Sequence, residues 1–247
     1  MSINKTLYLA SSSPRRQELV RMLGLPYEVR VSDADESTEP ALSPASIVAA
    51  LAMRKALAVL QCGVPAPGVI LGADTIVVVD GTVLGKPRDE NDAVRMLTAL
   101  QGRTHEVFSG VACVDADYSG NPAAMEKATH LNADHLDNAV VQTIPGADST
   151  FAIGGLASYR ILAEADGQAE VLSGYSFSKV TFRPMSEREI RAYVATGEPM
   201  DKAGAYAVQG IGAVSIEKIE GDFFSIMGLP LNLLYPMLQK LGISIWR

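Results

Sequence analysis

The amino-acid sequence predicts an α/β fold on a mixed sheet. Two observations carry the prediction. Short apolar, β-like runs alternate with helical stretches along the chain, the pattern of strands covered by helices. Hairpin-like strand pairs occur among them, so the sheet is not purely parallel.

The elements follow in order. Leu7–Ala10 reads as a first strand. Gln17–Leu23 carries Leu19, Val20, Met22 and Leu23 at helical spacing, and Pro14 suits a first helical position, so a helix is entered there and ends at Gly24 and Pro26. Tyr27–Val31 is a second strand candidate. Ser43 and Pro44 open a long helix, rich in Ala, Leu and Val, to about Leu60. Val69–Leu71 and Thr75–Val79 are β-like, interrupted by Gly72-Ala73-Asp74. Asp80-Gly81 is a hairpin signal with Val83-Leu84 returning. In Asp89–Leu100, the residues Ala93, Met96, Leu97 and Leu100 share a helix face. Thr104–Val114 is a strand. Ser186–Ala195 is a helix whose Ser186 and Glu189 form a capping-box pattern. Gly212–Ile219 reads as a strand and Leu231–Leu241 as the last helix. From about Asp115 to Ser173 the chain is mildly acidic and weakly periodic. We read residues 1–247 as a single domain with an insertion at about 115–173. Within it Phe151–Leu162 is a helix candidate weakened by Gly154-Gly155.

Composition bounds the function classes. At 247 residues, 48% hydrophobic and 20% charged, the chain has material for a real core. Its net charge of -7 argues against nucleic acid as a partner, though a local basic cluster can hold a small phosphate ligand. Cys62 and Cys113 make neither a disulfide framework nor a metal-ligand spacing, which fits a reducing compartment. No apolar run reads as membrane-spanning, and Met1 to Ala10 lacks the pattern of a signal peptide, so the expectation is a cytoplasmic protein with no membrane partner. His130 and His135 lack the i, i+4 spacing of a zinc helix, and all three histidines, His105 included, read as surface residues.

Several clusters could carry chemistry. Ser11-Ser12-Ser13-Pro14-Arg15-Arg16 lies between a strand and a helix. A helix N-terminus offers free N–H groups, and arginines offer charged forks that match phosphate. Taken alone, a capped helix with solvated arginines is the simpler explanation. Asp33, Asp35, Glu36 and Glu39 carry the oxygen ligands that Mg²⁺ or Mn²⁺ require, although by themselves they read as a solvated acidic loop. Asp74, in Gly72-Ala73-Asp74-Thr75, is a carboxylate inside an apolar strand that either bonds to local backbone or serves as a base or metal ligand, and Gly72 permits close approach of a ligand or another backbone. Lys86 and Arg88 precede a helix capped by Asp89, without the glycine-rich lead of a P-loop. Asp201–Tyr206, Val208-Gln209-Gly210, Glu220–Phe224 and Gly228–Leu231 combine glycines with polar groups; Gln209 can both donate and accept, as base recognition requires.

In their order, Ser11–Arg16, Asp35-Glu36, Gly72–Thr75, Lys86–Asp89, Asp201–Tyr206, Val208–Gly210 and Gly228–Leu231 resemble the signature series of the Maf family. The resemblance covers about Leu7 to Val114 and Val180 to Leu241. It implies an elongated mixed central sheet flanked by helices, with two lobes and a cleft, akin to inosine triphosphate pyrophosphatases. It also implies hydrolysis of a nucleoside triphosphate to monophosphate and pyrophosphate with a divalent metal, and a homodimer. Asp74 would be the proton acceptor. Arg15, Thr75 and Gln209 match positions tied to substrate choice. Ser13, Arg16, Lys86 and Lys202 would bind phosphate, and Glu36 with Asp74 would hold Mg²⁺ or Mn²⁺. Paired Arg15-Arg16, Thr75, and Ala205–Gln209 are similar to the branch acting on dTTP and UTP. The rival expectations are another nucleotide, such as 7-methyl-GTP or inosine triphosphate, or a nucleotide-binding regulator of cell division or septation.

Overall fold

The computed structural model describes residues 5–31, 33–37, 42–129, 150–153 and 155–246. Strand β1 (Thr6–Leu9) leads into helix α1 (Pro14–Met22), then β2 (Tyr27–Val29), the long α2 (Pro44–Cys62), β3 (Gly68–Val79) and β4 (Thr82–Leu84). Next come α3 (Glu90–Leu100), β5 (Thr104–Asp115), α4 (Pro122–Ala128), β6 (Thr150–Ile153), β7 (Ala157–Ala165) and β8 (Gln168–Phe182). The chain closes with α5 (Glu187–Val194), 3-10 turns between Glu198 and Ser215, β9 (Ile216–Glu220), α6 (Phe223–Met227) and α7 (Leu231–Lys240).

The strands form one mixed sheet in the order β2-β1-β3-β5-β8-β7-β6, with β4 on β3 and β9 on β8. The β1 strand runs parallel to β2 and β3; the remaining pairings are antiparallel. An α/β fold with a mixed sheet is what the alternation of runs and the hairpin signal at Asp80-Gly81 predict.

Helix α2 sets the geometry that matters most. Ser43 caps it, its side chain accepting from the Ser46 amide, and Pro44 occupies the first turn. It lies directly on β3 and β5, because two glycines remove the side chains in between. A Cβ on Gly72 would stand 2.0 Å from the Ala52 carbonyl oxygen, and one on Gly110 2.1 Å from that of Val48. The close approach allowed by Gly72 is therefore helix on sheet. By length and a mean hydropathy of 1.5, α2 is also apolar enough to cross a bilayer, contrary to the sequence reading. Here its apolar residues, from Val48 through Met53 to Val59, are buried in the core.

Other differences have local causes. Gly72-Ala73-Asp74 does not interrupt a strand, since β3 pairs with β5 continuously from Val69 to Val78. The Phe151–Leu162 stretch is β6 and β7, not helix. Gly155, with φ of 71°, sits in the turn between them, and β7 alternates buried and half-buried residues. The β8 strand, unread in the sequence, begins inside the 115–173 segment after a second Asp-Gly turn, Asp166-Gly167. The predicted Gly212–Ile219 strand is a 3-10 turn up to Ser215 and strand from Ile216. His105 is a core residue, 1% exposed, not a surface one; His130 and His135 lie outside the described residues.

Candidate active site

The C-terminal end of β1, the N-terminus of α1, the middle of β3 and the 3-10 turns after α5 converge on a cavity of about 570 Å³, a size typical of small-molecule sites. Ser13, Arg15, Arg16, Glu36, Asp74, Thr75, Lys86 and Lys202 all line it. Gln209 is half-buried beyond the wall residue Val208 and is not part of the lining. Asp35 turns away, its carboxylate accepting from the amide and hydroxyl of Ser37. Asp33 is exposed, Arg88 is 84% exposed beside Asp92, and Glu39 lies outside the described residues.

The floor carries a paired carboxylate. Asp74 Oδ1 accepts from Lys55 Nζ at 2.6 Å, and Glu36 Oε1 stands 2.9 Å from the same ammonium. Both Asp74 and Lys55 are largely buried. Lys55 escaped the sequence reading. It reaches Asp74 because Gly72 and Gly110 let α2 settle onto the sheet one turn away. Its hydrogen bond, ahead of the opposing burial, holds the Glu36 carboxyl below the usual range.

Arg16 is the most constrained cation. Its Nε donates to the Gly228 carbonyl at 2.8 Å, Nη1 to Ser11 Oγ at 3.3 Å and Nη2 to Thr75 Oγ1 at 3.3 Å. Gly228 ends α6 at φ of 119°, and its carbonyl serves Arg16 from there. Burial lowers the proton affinity of Arg16, opposed by the charge of Asp74. Arg15 makes one contact instead, to Asp201 Oδ2 at 3.3 Å. Lys202 Nζ is held at 2.5 Å by Asp201 Oδ1 and at 2.5 Å by the Glu198 carbonyl. Ser13 precedes α1 without a side-chain bond to the helix and lines the cavity.

Behind the wall residue Tyr206 lies His105, whose Nε2 is 2.8 Å from the tyrosine hydroxyl. Its Nδ1 is buried without a partner, and burial pulls its pKa down to about 4.

A cavity that gathers arginines and lysines around a carboxylate floor suits a polyphosphate. The model of the family described as Maf-like protein matches residues 6–161 and 152–241. The chain belongs to the Maf family. A protein of Symbiobacterium thermophilum named dTTP/UTP pyrophosphatase is 41% identical over 241 residues, covering 97% of this chain and 96% of its own. Relatives of the same name from Moorella thermoacetica (40% identical, 97% of each chain) and Bacillus cereus (34%, 98% of this chain and 92% of its own) match similarly. A solved dITP/XTP pyrophosphatase from Mycobacterium abscessus overlaps 46% of this chain and 66% of its own, at 18% identity and a TM-score of 0.30, a likeness too partial to bear on the fold. In this Maf protein the signature residues from Ser11–Arg16, Glu36, Gly72–Thr75, Lys86 and Asp201–Tyr206 meet at one cavity although they span most of the chain.

Proposed function

We propose that this Maf protein hydrolyses dTTP and UTP between the α- and β-phosphates, releasing the monophosphate and pyrophosphate. One observation carries the reading: the Asp74 carboxylate, ion-paired to Lys55 at 2.6 Å, lies on the floor of a cavity lined by Arg15, Arg16, Lys86 and Lys202. The names of the full-length relatives support the nucleotide assignment.

The chemistry follows from the groups present. The four cations and the α1 N-terminus with Ser13 hold the triphosphate. Lys55 occupies Asp74 Oδ1 and leaves Oδ2 to take the proton of the attacking water. Water oxygen bonds to the α-phosphorus, the bond to the bridging oxygen breaks, and pyrophosphate leaves with the electron pair. The fixed Arg16 and the mobile Lys86 stabilise the charge that builds on both.

A divalent ion fits the residues present. Glu36 and Asp74 both contact the Lys55 ammonium, so the two carboxylates lie close together and would hold such an ion beside it. Mg²⁺ and Mn²⁺ take one or two carboxylates and complete their shell with phosphate, and these two residues would supply that pair. Such an ion would neutralise the triphosphate and the departing pyrophosphate. Arg15 and Thr75 line the cavity and bear on substrate choice directly; Gln209 would act from behind Val208. A homodimer in the cytoplasm belongs to the same reading and rests on the family alone.

Turnover on a panel of canonical and modified triphosphates with Mg²⁺ and Mn²⁺, with products separated, tests the proposal. The expected result is pyrophosphate and monophosphate, fastest from dTTP and UTP. Orthophosphate and diphosphate as products, or a preference for 7-methyl-GTP, contradicts it.

A further inference from the structure

Thr75 and Ser109 are register partners across β3 and β5, and their hydroxyl oxygens are 2.8 Å apart. Ser109 Oγ is also 2.6 Å from the Ser225 carbonyl oxygen. A carbonyl only accepts, so the single proton of Ser109 goes to Ser225. Ser109 must then accept from Thr75, which commits the threonine's proton. The Thr75 oxygen in turn accepts from Arg16 Nη2. The chain has one direction: Arg16 to Thr75 to Ser109 to the Ser225 carbonyl.

Its far end is anchored. Ser225 Oγ donates to the Asp222 carbonyl at 2.7 Å and lies 2.9 Å from Ser178 Oγ, which accepts from the Asp222 amide at 3.0 Å. Ser109, Ser178 and Ser225 are all fully buried. The same short helix α6 presents Ser225 to Ser109 and ends at Gly228, which accepts from Arg16 Nε.

We propose that Ser109 is a positioning residue for the phosphate site. It fixes the Thr75 hydroxyl as an acceptor for Arg16 and withholds the threonine's proton from the triphosphate. Thr75 then acts on phosphate only through Arg16, and meets a ligand directly only where that ligand donates. The inference deepens the pyrophosphatase reading and rests on it, since Arg16 is taken as a phosphate ligand.

Calorimetric titration with inorganic tripolyphosphate separates the two claims, because it needs no turnover. Ser109→Ala is expected to weaken binding about fivefold, the worth of one net hydrogen bond. In a Thr75→Val background the same change is expected to alter binding less than twofold, because the route to Arg16 is already cut. If Ser109→Ala does not fold, Ser109→Cys, close in size and a weak donor, takes its place with the same expectation. Binding as tight as the wild type's, or an equal loss in both backgrounds, overturns the role of Ser109 while leaving the pyrophosphatase reading intact. A wild type that neither binds tripolyphosphate nor releases pyrophosphate from dTTP overturns the functional reading, and this assignment with it.

Discussion

The floor of the cleft and its mouth both carry cations, and they hold them in different ways. On the floor, Arg16 donates to three acceptors from three parts of the chain, and Lys55 is clasped between Asp74 and Glu36. At the mouth, Arg15 makes one contact to Asp201, whose carboxylate is 62% exposed and is shared with the largely buried Lys202, and Lys86 is exposed at the rim. Arg15 and Arg16 are adjacent in sequence, yet they belong to opposite regimes. The Lys55–Asp74 pair is sheltered and Arg16 is preorganised by its three acceptors, the arrangement that stabilises developing charge best, while Glu36 stands 62% exposed above them. The Arg15–Asp201 contact, with its exposed carboxylate, is screened and replaceable, so a triphosphate can exchange for it at little cost.

That contrast can be broken by paired substitutions. Arg16→Lys removes a fork that no ammonium reproduces, and kcat/KM for dTTP is expected to fall about a hundredfold, the loss of roughly 3 kcal/mol of transition-state stabilisation. Arg15→Lys is expected to change it less than about tenfold, mainly in KM. Equal losses would erase the distinction between floor and mouth.

The wall behind the floor has a pH signature of its own. Burial drives the His105 pKa from 6.5 to about 4, so the folded chain holds this histidine neutral while the unfolded chain takes up its proton at higher pH. Its contribution is complete above about 6.5 and is lost as pH falls towards 4, amounting to at most about 3 kcal/mol. Thermal melts from pH 7 to 4 should therefore show a fall in Tm that His105→Phe flattens. An unchanged slope would detach Tyr206 and its wall from the protonation of this ring.

The smallest expected effect lies at the mouth. Asp201→Asn loosens Arg15 and Lys202 together, and a change in KM of about threefold or less is expected, shrinking as salt rises. A large loss of kcat would show that the mouth is as preorganised as the floor.

Much of this was readable from the residues, for identifiable reasons. Serines and Pro14 ahead of a helix, a carboxylate inside an apolar run, and Asp89 at a helix start are short-range patterns, and each falls where its local chemistry puts it. Lys55 was not readable in the same way. It is 19 residues from Asp74, and the glycines that bring the two together lie on other elements. A signal existed: Arg54 and Lys55 are the charged residues of an otherwise apolar or neutral α2. Lys55 answers to the floor, and Arg54 pairs with Glu126 of α4 and with the Asp35 and Ser37 carbonyls that flank Glu36. His105 sits between Thr104 and Glu106 at the polar start of a strand, and its core position depends on Tyr206, a hundred residues on. The β-strands of the 115–173 region have a local signal too: Asp166-Gly167 turns the chain with positive φ at both residues, as Asp80-Gly81 does.

The central claim is that the floor carboxylate takes the proton of the attacking water. Steady-state turnover of dTTP and UTP by Asp74→Asn, which keeps the shape and removes the charge, tests it most directly. The expected outcome is a loss in kcat of about a thousandfold or more, within the range of a lost general base, with tripolyphosphate still bound by Arg16 and its neighbours. Turnover near that of the wild type would contradict the role given to Asp74.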